Sequence, residues 1–339
     1  MSFPDVVVPV RENTDVAHAR RVALGVAHEA GLDESGAGAV GIVTTEAATN
    51  LLKHGGGSEV IVRRYAGGGA VVELLAIDRG KGMADIERCL VDGYSTAGSP
   101  GNGLGAIRRL ALHFDCFSAP DQGTVLLARI GSRAPATPNG AFEVGAICAP
   151  APAEEVSGDS WLQQQGDKTC RVLVADGLGH GPGAAEAARV AIQSASENPS
   201  STPGALVEIA HSRMRATRGA AIAVAEIRID QGHVAYSGLG NISGAIVSEA
   251  NIRKQMVSMN GTAGHEMRAA REFQYPWDKE SLLILHSDGL NSHWSIDRYA
   301  GLFRRHPSLI AGVIFRDSRR GRDDATVVVV RQLKRAAWN

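Results

Sequence analysis

Apolar residues at Val16, Ala19, Ala23, Val26 and Ala27 recur at three- and four-residue spacing in an Ala-rich stretch. That period predicts a helix over residues 15–30 with one buried face. A second helix is predicted over 38–52 and a third over 105–113. Between them, residues 60–65 and 70–78 read as two strands around the turn Gly67-Gly68-Gly69. The β-branched run 124–130 closes this half as a strand. The order helix, helix, hairpin, loop, helix, strands describes an α/β sandwich with helices on one face. Residues 131–140 then carry two prolines, two glycines and little apolar content, the composition of a short linker.

Beyond the linker the pattern is richer in strands. They are expected at 142–149, 170–175, 220–229, 233–238, 244–248, 281–287 and 325–331. Helices are expected at 183–196 and 203–216, so two sheets flanked by helices fit this half. The predicted domains are 1–131, a linker 132–140, and 141–335.

Composition narrows the function. A chain of 339 residues suits two domains at roughly 100–200 residues each. Its 35 basic and 36 acidic side chains give a net charge of −1, so no electrostatic footprint points to nucleic acid. Forty glycines with 5% aromatics suit an α/β protein with many tight turns. Cys89, Cys116, Cys148 and Cys170 are widely spaced, with no C-x-x-C pair, which argues against zinc and against a disulfide framework. Residues 1–11 lack a signal-peptide pattern, and no apolar run nears the ~20 residues of a membrane span. The expectation is a reduced, soluble, cytoplasmic protein with no membrane or nucleic-acid partner.

Three pieces of the first half carry candidate chemistry. Glu46 and Asn50 are four apart and share one helix face. An Asn amide oxygen suits Mg²⁺, and a carboxylate one turn away could take a proton from an attacking hydroxyl. Alone, the pair is an exposed Glu and Asn on an Ala-rich helix. Asp78-Arg79-Gly80-Lys81-Gly82 follows an apolar strand. Its acid could accept from an exocyclic amine, and its glycines let backbone approach a ligand. Alone, it is an ordinary Asp-Gly turn. Gly101-Asn102-Gly103-Leu104-Gly105 leads into a helix, offering free N–H groups to phosphates. It is not a P-loop, because no Gly-Lys-Ser/Thr follows.

In this order the three pieces resemble the GHKL (Bergerat) ATP-binding family, and within it the anti-sigma and switch serine kinases of the RsbT type. The resemblance implies that Glu46 is the catalytic base, that Asn50 holds Mg²⁺, and that Asp78 binds adenine with Gly80 and Gly82 shaping the pocket. Residues 95–105, including Gly101, Gly103, Leu104 and Gly105, would form an ATP lid. Thr124, in Gly123-Thr124, would support adenine binding. No phosphoacceptor-His helix precedes the domain, which argues against a sensor histidine kinase.

Acids in the second half sit at strand edges: Asp159 after Gly158, Asp176 in Asp-Gly-Leu-Gly-His-Gly, Asp288 in Ser-Asp-Gly, and Asp323-Asp324 before Ala-Thr. A buried carboxylate cluster is costly unless protonated or neutralised by cations, and paired divalent ions would neutralise it. These residues resemble type 2C metal-dependent protein phosphatases of the SpoIIE and RsbX branch. The resemblance implies an Mn²⁺ or Mg²⁺ pair, with Asp176 bridging and Gly177 contributing its carbonyl. Asp288 and Asp323 would complete the site, Asp324 ranks second to Asp323, and Asp159 would hold a metal-bound water. Ser160-Trp161 stands where several relatives carry aromatic and acidic residues, a departure that touches accessory metal binding.

His54 and His180 are expected to be structural, the basic run 316–322 a solvated face, and Trp161, Trp277 and Trp294 core or surface anchors. Together the halves imply an α/β (α+β) chain in which a GHKL α/β sandwich precedes a type-2C αββα sandwich. The expected function is ATP-dependent serine/threonine kinase and metal-dependent phosphatase activity on STAS-domain antagonist or stressosome-type partners. The alternative is a phosphatase with a non-catalytic ATP- or anti-sigma-type binding module. Relatives of the first domain often dimerise, which leaves a homodimer open.

Overall fold

A computed structural model describes residues 5–56, 58–65, 69–91, 103–131, 140–250 and 252–333. The N-terminal part contains β1 (Val6–Val10), α1 (Asn13–Glu29), α2 (Glu34–His54), β2 (Ser58–Arg64), β3 (Val71–Ile77), α3 (Ile86–Cys89), α4 (Gly103–Leu110), β4 (His113–Ser118) and β5 (Thr124–Gly131). The strands form one antiparallel sheet in the order β1-β2-β3-β5-β4. Helix α1 starts in a capping box between Glu12 and Asp15, and Asp33 caps α2 by accepting from Gly36 N at 2.8 Å. Such caps satisfy amides that a helix start leaves unpaired. Ala19, Ala23 and Ala27 of α1 and Ala47 and Ala48 of α2 are buried with Val60, Val62, Val72 and Leu74 of the sheet. Small residues let both helices lie close to it.

After the linker come β6 (Phe142–Ala149), β7 (Asp159–Gln165), β8 (Thr169–Gly177), α5 (Pro182–Glu197), α6 (Pro203–Arg213), β9 (Ala220–Arg228), β10 (His233–Leu239), β11 (Ser243–Val247), β12 (Arg253–Gln255), β13 (Phe273–Pro276), β14 (Leu282–His286), α7 (Pro307–Ser318) and β15 (Ala325–Gln332). Two antiparallel sheets result, β13-β10-β9-β8-β7 and β12-β11-β14-β15-β6. They share a core of Val172, Val174, Ala223 and Ala225 from one and Leu283, Leu285, Val328 and Val330 from the other. Helices α5 and α6 cover the outer face of the first through Leu173, Ala175, Ile222 and Val224. The expected mixed helix–sheet class is what the structure shows.

Several elements differ from expectation. The third helix ends at Leu110 rather than 113, because Leu112 N already bonds Arg129 O at 2.8 Å and His113 opens β4. Strand β7, Asp-Ser-Trp-Leu-Gln-Gln-Gln, was missed because its polar run hides the alternation; its pairing with β8 makes it a strand. Helix α7 was missed because residues 309–315 are nearly all apolar and carry no 3.6-residue stripe. The expected helix 203–216 is α6 followed by a short 3₁₀ turn, Met214–Ala216. Among the described residues, no helix is long and apolar enough to cross a membrane.

By contacts the chain divides into two compact units. The first unit joins the N-terminal segment to Arg298–Arg316, and the second holds the rest of the C-terminal part. In the first unit, residues 298–316 lie on the sheet face away from α1 and α2. Tyr299 meets Phe117 edge-on at 6.0 Å, and a Cβ on Gly312 would come within 2.6 Å of Val125. Buried Arg316 donates to Asp78 O at 3.2 Å, and Arg79 donates to Arg316 O. The expectation of a solvated basic face therefore fails at Arg316, which is 5% exposed.

The same sheet face buries charge. Glu73 pairs with Arg63 and, at 2.7 Å, with Arg129; Arg63 also reaches Asp5 at 3.1 Å. Arg129 Nη2 meets His306 Nε2 at 3.0 Å. Burial alone would raise the Glu73 carboxyl, but Arg63 and Arg129 overcome it and hold the group down at about 2. We expect Glu73→Gln to destabilise the first unit by on the order of 3–5 kcal/mol, since it leaves guanidinium charge buried without its partner. Denaturant unfolding checks this; a loss under about 1 kcal/mol, the range of an exposed pair, would contradict it.

Candidate functional site

In the first unit, α2 carries Glu46 and Asn50 one turn apart, both half-buried. The start of α4 closes on them: a Cβ on Gly103 would lie 2.6 Å from Glu46 Oε2 and 3.7 Å from the Asn50 amide. Leu104 and Gly105 continue that first turn. Gly101 and most of the expected lid lie outside the described residues.

Asp78 follows β3 and is 7% exposed. Its Oδ1 accepts from Gly80 N at 2.8 Å and Thr124 N at 3.0 Å. Burial raises its carboxyl above the usual range, against those amides and Arg316. Thr124 Oγ1 lies 2.9 Å from Ser118 Oγ, which in turn accepts from Met83 N at 2.8 Å. Gly80 packs on the end of α2, where a Cβ would strike the His54 carbonyl at 1.8 Å, and Gly82 takes φ +65° against Ala119 O. Only glycine fits both demands at Gly82. It is the His54 backbone that contacts this loop; the side chain is exposed. Ser118 and Arg316 were not foreseen, and both reach the loop only through the fold.

The second unit gathers its acids at strand ends. Asp159 opens β7 and is the register partner of Asp176 near the end of β8, so their side chains share one face at cross-strand distance. Ser287 Oγ donates to Asp159 Oδ2 at 2.7 Å and accepts from Thr326 N at 2.9 Å. Asp159 Oδ1 is buried and meets no hydrogen-bond partner among the described residues. Asp288 follows β14 and accepts from Asn241 Nδ2 at 2.7 Å. Asp324, 3% exposed, accepts from Ala151 N at 2.8 Å, and its Oδ2 would lie 2.6 Å from a Cβ on Gly158. Asp323 is half-buried and accepts from Asp324 N at 3.0 Å. Gly177 N donates to Gly158 O at 3.1 Å, tying the first two acid turns together.

The electrostatics follow from this gathering. Burial first, then repulsion from Asp159, Asp288, Asp323 and Asp324, push the Asp176 carboxyl well above the carboxylate range. Asp159 is raised mainly by burial, with Asp324 and Asp288 adding to it. Asp288 and Asp324 are also raised by burial. No three His, Cys, Asp or Glu side chains among the described residues close into a metal cage. An orphaned oxygen on Asp159 and mutually repelling carboxyls nonetheless form an oxygen-only donor set suited to hard divalent cations. Ser287 and Asn241, which hold two of the acids, were missed; Ser287 adjoins Asp288, while no sequence signal marks Asn241. His180 is exposed and pairs with Glu154 at 2.6 Å. Trp161, Trp277 and Trp294 are all buried.

Residues 10–130 match the family described as histidine kinase-like ATPase domain, and residues 166–333 match stage II sporulation protein E (SpoIIE). The chain joins a GHKL-like ATPase domain to a SpoIIE-type, type-2C-like phosphatase domain. Over 122 residues it is 29% identical to the serine/threonine-protein kinase RsbT of Bacillus subtilis (strain 168), covering 36% of this chain and 92% of that one. Over 139 residues it is 28% identical to the phosphoserine phosphatase RsbX of the same strain, covering 41% and 69%. A solved structure described as the bacterial stressosome, a modular system adapted to control secondary messenger signaling, aligns at TM-score 0.53 and 26% identity. That alignment covers 56% of this chain and 99% of the other.

The SpoIIE-type domain should show the pH signature of its acids. Carboxyls raised in the folded state contribute stability that is full below the ordinary carboxylate range and lost as pH rises through their raised values. Without divalent ions, the melting temperature of this domain should therefore fall from mildly acidic to alkaline pH. Asp176→Asn should flatten the fall, and Mn²⁺ should oppose it. Melting curves across pH in chelator check this; an unchanged slope in Asp176→Asn would contradict it.

Proposed function

We propose that this chain is a two-headed regulatory enzyme of a partner-switching pathway. One head transfers the ATP γ-phosphate to a Ser or Thr of a STAS-domain or stressosome-type partner, and the other removes phosphate from such a residue. The observation that carries this reading is the gathering of Asp159, Asp288, Asp323 and Asp324 about Asp176 at neighbouring strand ends, on a chain whose two halves separately resemble a kinase and a phosphatase.

In the phosphatase head, Asp159, Asp176, Asp288, Asp323, Asp324 and the Gly177 carbonyl would hold divalent ions, Mn²⁺ or Mg²⁺. Such ions supply Lewis acidity toward phosphate oxygens and lower the pKa of water. The chain's own part is positioning. Ser287 fixes Asp159, Asn241 fixes Asp288, and the cross-strand register fixes Asp176 against Asp159. Rigid strand ends thereby hold like charges together before substrate arrives.

In the kinase head, Asn50 would hold Mg²⁺ and Asp78 would accept from the adenine amine, with Gly80, Gly82 and Thr124 shaping its pocket. Gly101, Gly103, Leu104 and Gly105 would enclose the phosphates. Glu46 would take the proton of the acceptor hydroxyl as its oxygen bonds to the γ-phosphorus and the bond to the leaving ADP oxygen breaks. Positioning and charge neutralisation dominate such transfers. The placement of Glu46 under the first turn of α4 supports a kinase over a binding module alone, which needs no carboxylate there.

The test uses the Asp176→Asn chain, so that label is not erased, with γ-labelled Mg²⁺-ATP and the STAS-domain proteins encoded nearby. Label on a partner should fall roughly 10²–10⁴-fold when Glu46→Gln is added, the span of a lost general base. The wild-type chain with Mn²⁺ should strip that label, and Asp176→Asn should not. No label, with ATP bound and phosphate still removed from a separately phosphorylated partner, would leave a phosphatase with a nucleotide-binding module. Asn50→Ala should lose Mg²⁺-ATP binding by calorimetry; unchanged affinity would contradict its role.

A further inference from the structure

Arg316 stands 238 positions after Asp78 in the chain, yet the two meet within the first unit. Arg316 lies in the last turn of α7 and is buried. Its Nη1 donates to Asp78 O at 3.2 Å, and its Cζ lies 5.9 Å from the Tyr299 ring centroid. Arg79, the residue after Asp78, donates in return to Arg316 O. That carbonyl is among the four that a helix end leaves without a partner inside the helix. Two guanidinium groups thus cross between the Asp78 turn and the end of α7. The helix is seated close by: a Cβ on Gly312 would lie 2.6 Å from Val125, the neighbour of Thr124.

The remaining bonds of Asp78 are local. Its N donates to Thr124 O at 2.9 Å. Both the Gly80 and Thr124 amides go to Oδ1, so Oδ2 is the oxygen left for a ligand. Burial works against the charged carboxylate, and the charge of Arg316 is among the influences that oppose it. The charged form is the one an amine needs. A carboxylate only accepts, whereas a protonated carboxyl presents an O–H toward the incoming N–H. Removing Arg316 would loosen the Asp78 backbone and disfavour the charged form together.

We propose that Arg316 is a positioning residue for base selection: it holds Asp78 where Oδ2 accepts from the exocyclic amine of adenine, acting through Asp78 rather than on the base. This assignment rests on the reading of Asp78 as the adenine-binding acid. It makes a residue from the C-terminal half of the sequence part of the nucleotide specificity of the first unit. Arg suits a buried post of this kind because it stays charged there, where Lys readily gives up its proton.

The experiment measures nucleotide binding with Mg²⁺ by calorimetry in the full chain, for wild type, Arg316→Ala, Arg316→Lys and Arg79→Ala. Two nucleotides are compared: ATP, and purine riboside triphosphate, which is ATP without its 6-amino group. Wild type should prefer ATP. Arg316→Ala should weaken ATP binding roughly 10-fold, the scale of one charge-assisted hydrogen bond, and leave the amine-free analogue nearly unchanged. Arg316→Lys should recover part of the preference. Should Arg316→Ala not fold, Arg79→Ala carries the test. It removes the return half of the clamp at an exposed residue and should lower the preference in the same direction. The proposal is overturned if the variants lose both nucleotides equally, the mark of a merely structural role, or if they keep the full wild-type preference. In either case a wild-type preference for ATP leaves the reading of Asp78 standing. A wild type that binds the two nucleotides equally overturns that reading, and the Arg316 assignment with it.

Discussion

The second unit is organised around a repulsion. Asp159 and Asp176 face each other across neighbouring strands, with three more acids within electrostatic reach. Burying like charges together costs free energy that no hydrogen bond to Ser287 or Asn241 repays in full. The acids stay together because the strands that carry them are fixed elsewhere. β8 and β9 are buried along nearly their whole length, and β14 and β15 share their core with them. The apolar interior stabilises the fold, and the strand ends hold the charge.

The first unit handles buried charge in the opposite way. Glu73 lies between Arg63 and Arg129, so its carboxylate is kept ionised rather than raised. That compensated strip lies on the sheet face that Arg298–Arg316 covers, and His306 of that segment adjoins Arg129. The same segment ends at Arg316, whose guanidinium donates to the Asp78 carbonyl. A stretch from the C-terminal half of the sequence therefore completes the surroundings of the Asp78 loop.

Much of the framework was legible in the chain. Helix α1 announced itself by its alanine period, and β3, β8, β9 and β14 by apolar, β-branched runs. Asp78, Asp176 and Asp288 stood out because each follows such a run and has a glycine one or two residues on. Less was legible where packing overrides pattern. β7 is polar and becomes a strand only by pairing with β8. α7 is so uniformly apolar that it shows no stripe. Asn241 carries no motif at all.

The sequence by itself determined most helix and strand runs of each half, the strand-end acids and the glycines that clear space beside Asp78 and Asp176. These are local facts: periodicity selects helix or strand, and a glycine after an acid selects a tight turn. Only the tertiary structure decided which acids share a face, that Ser287 grips Asp159, and that residues 298–316 join the first unit. Each of those depends on register and packing between segments tens to hundreds of residues apart in the chain, and no local pattern encodes such distances.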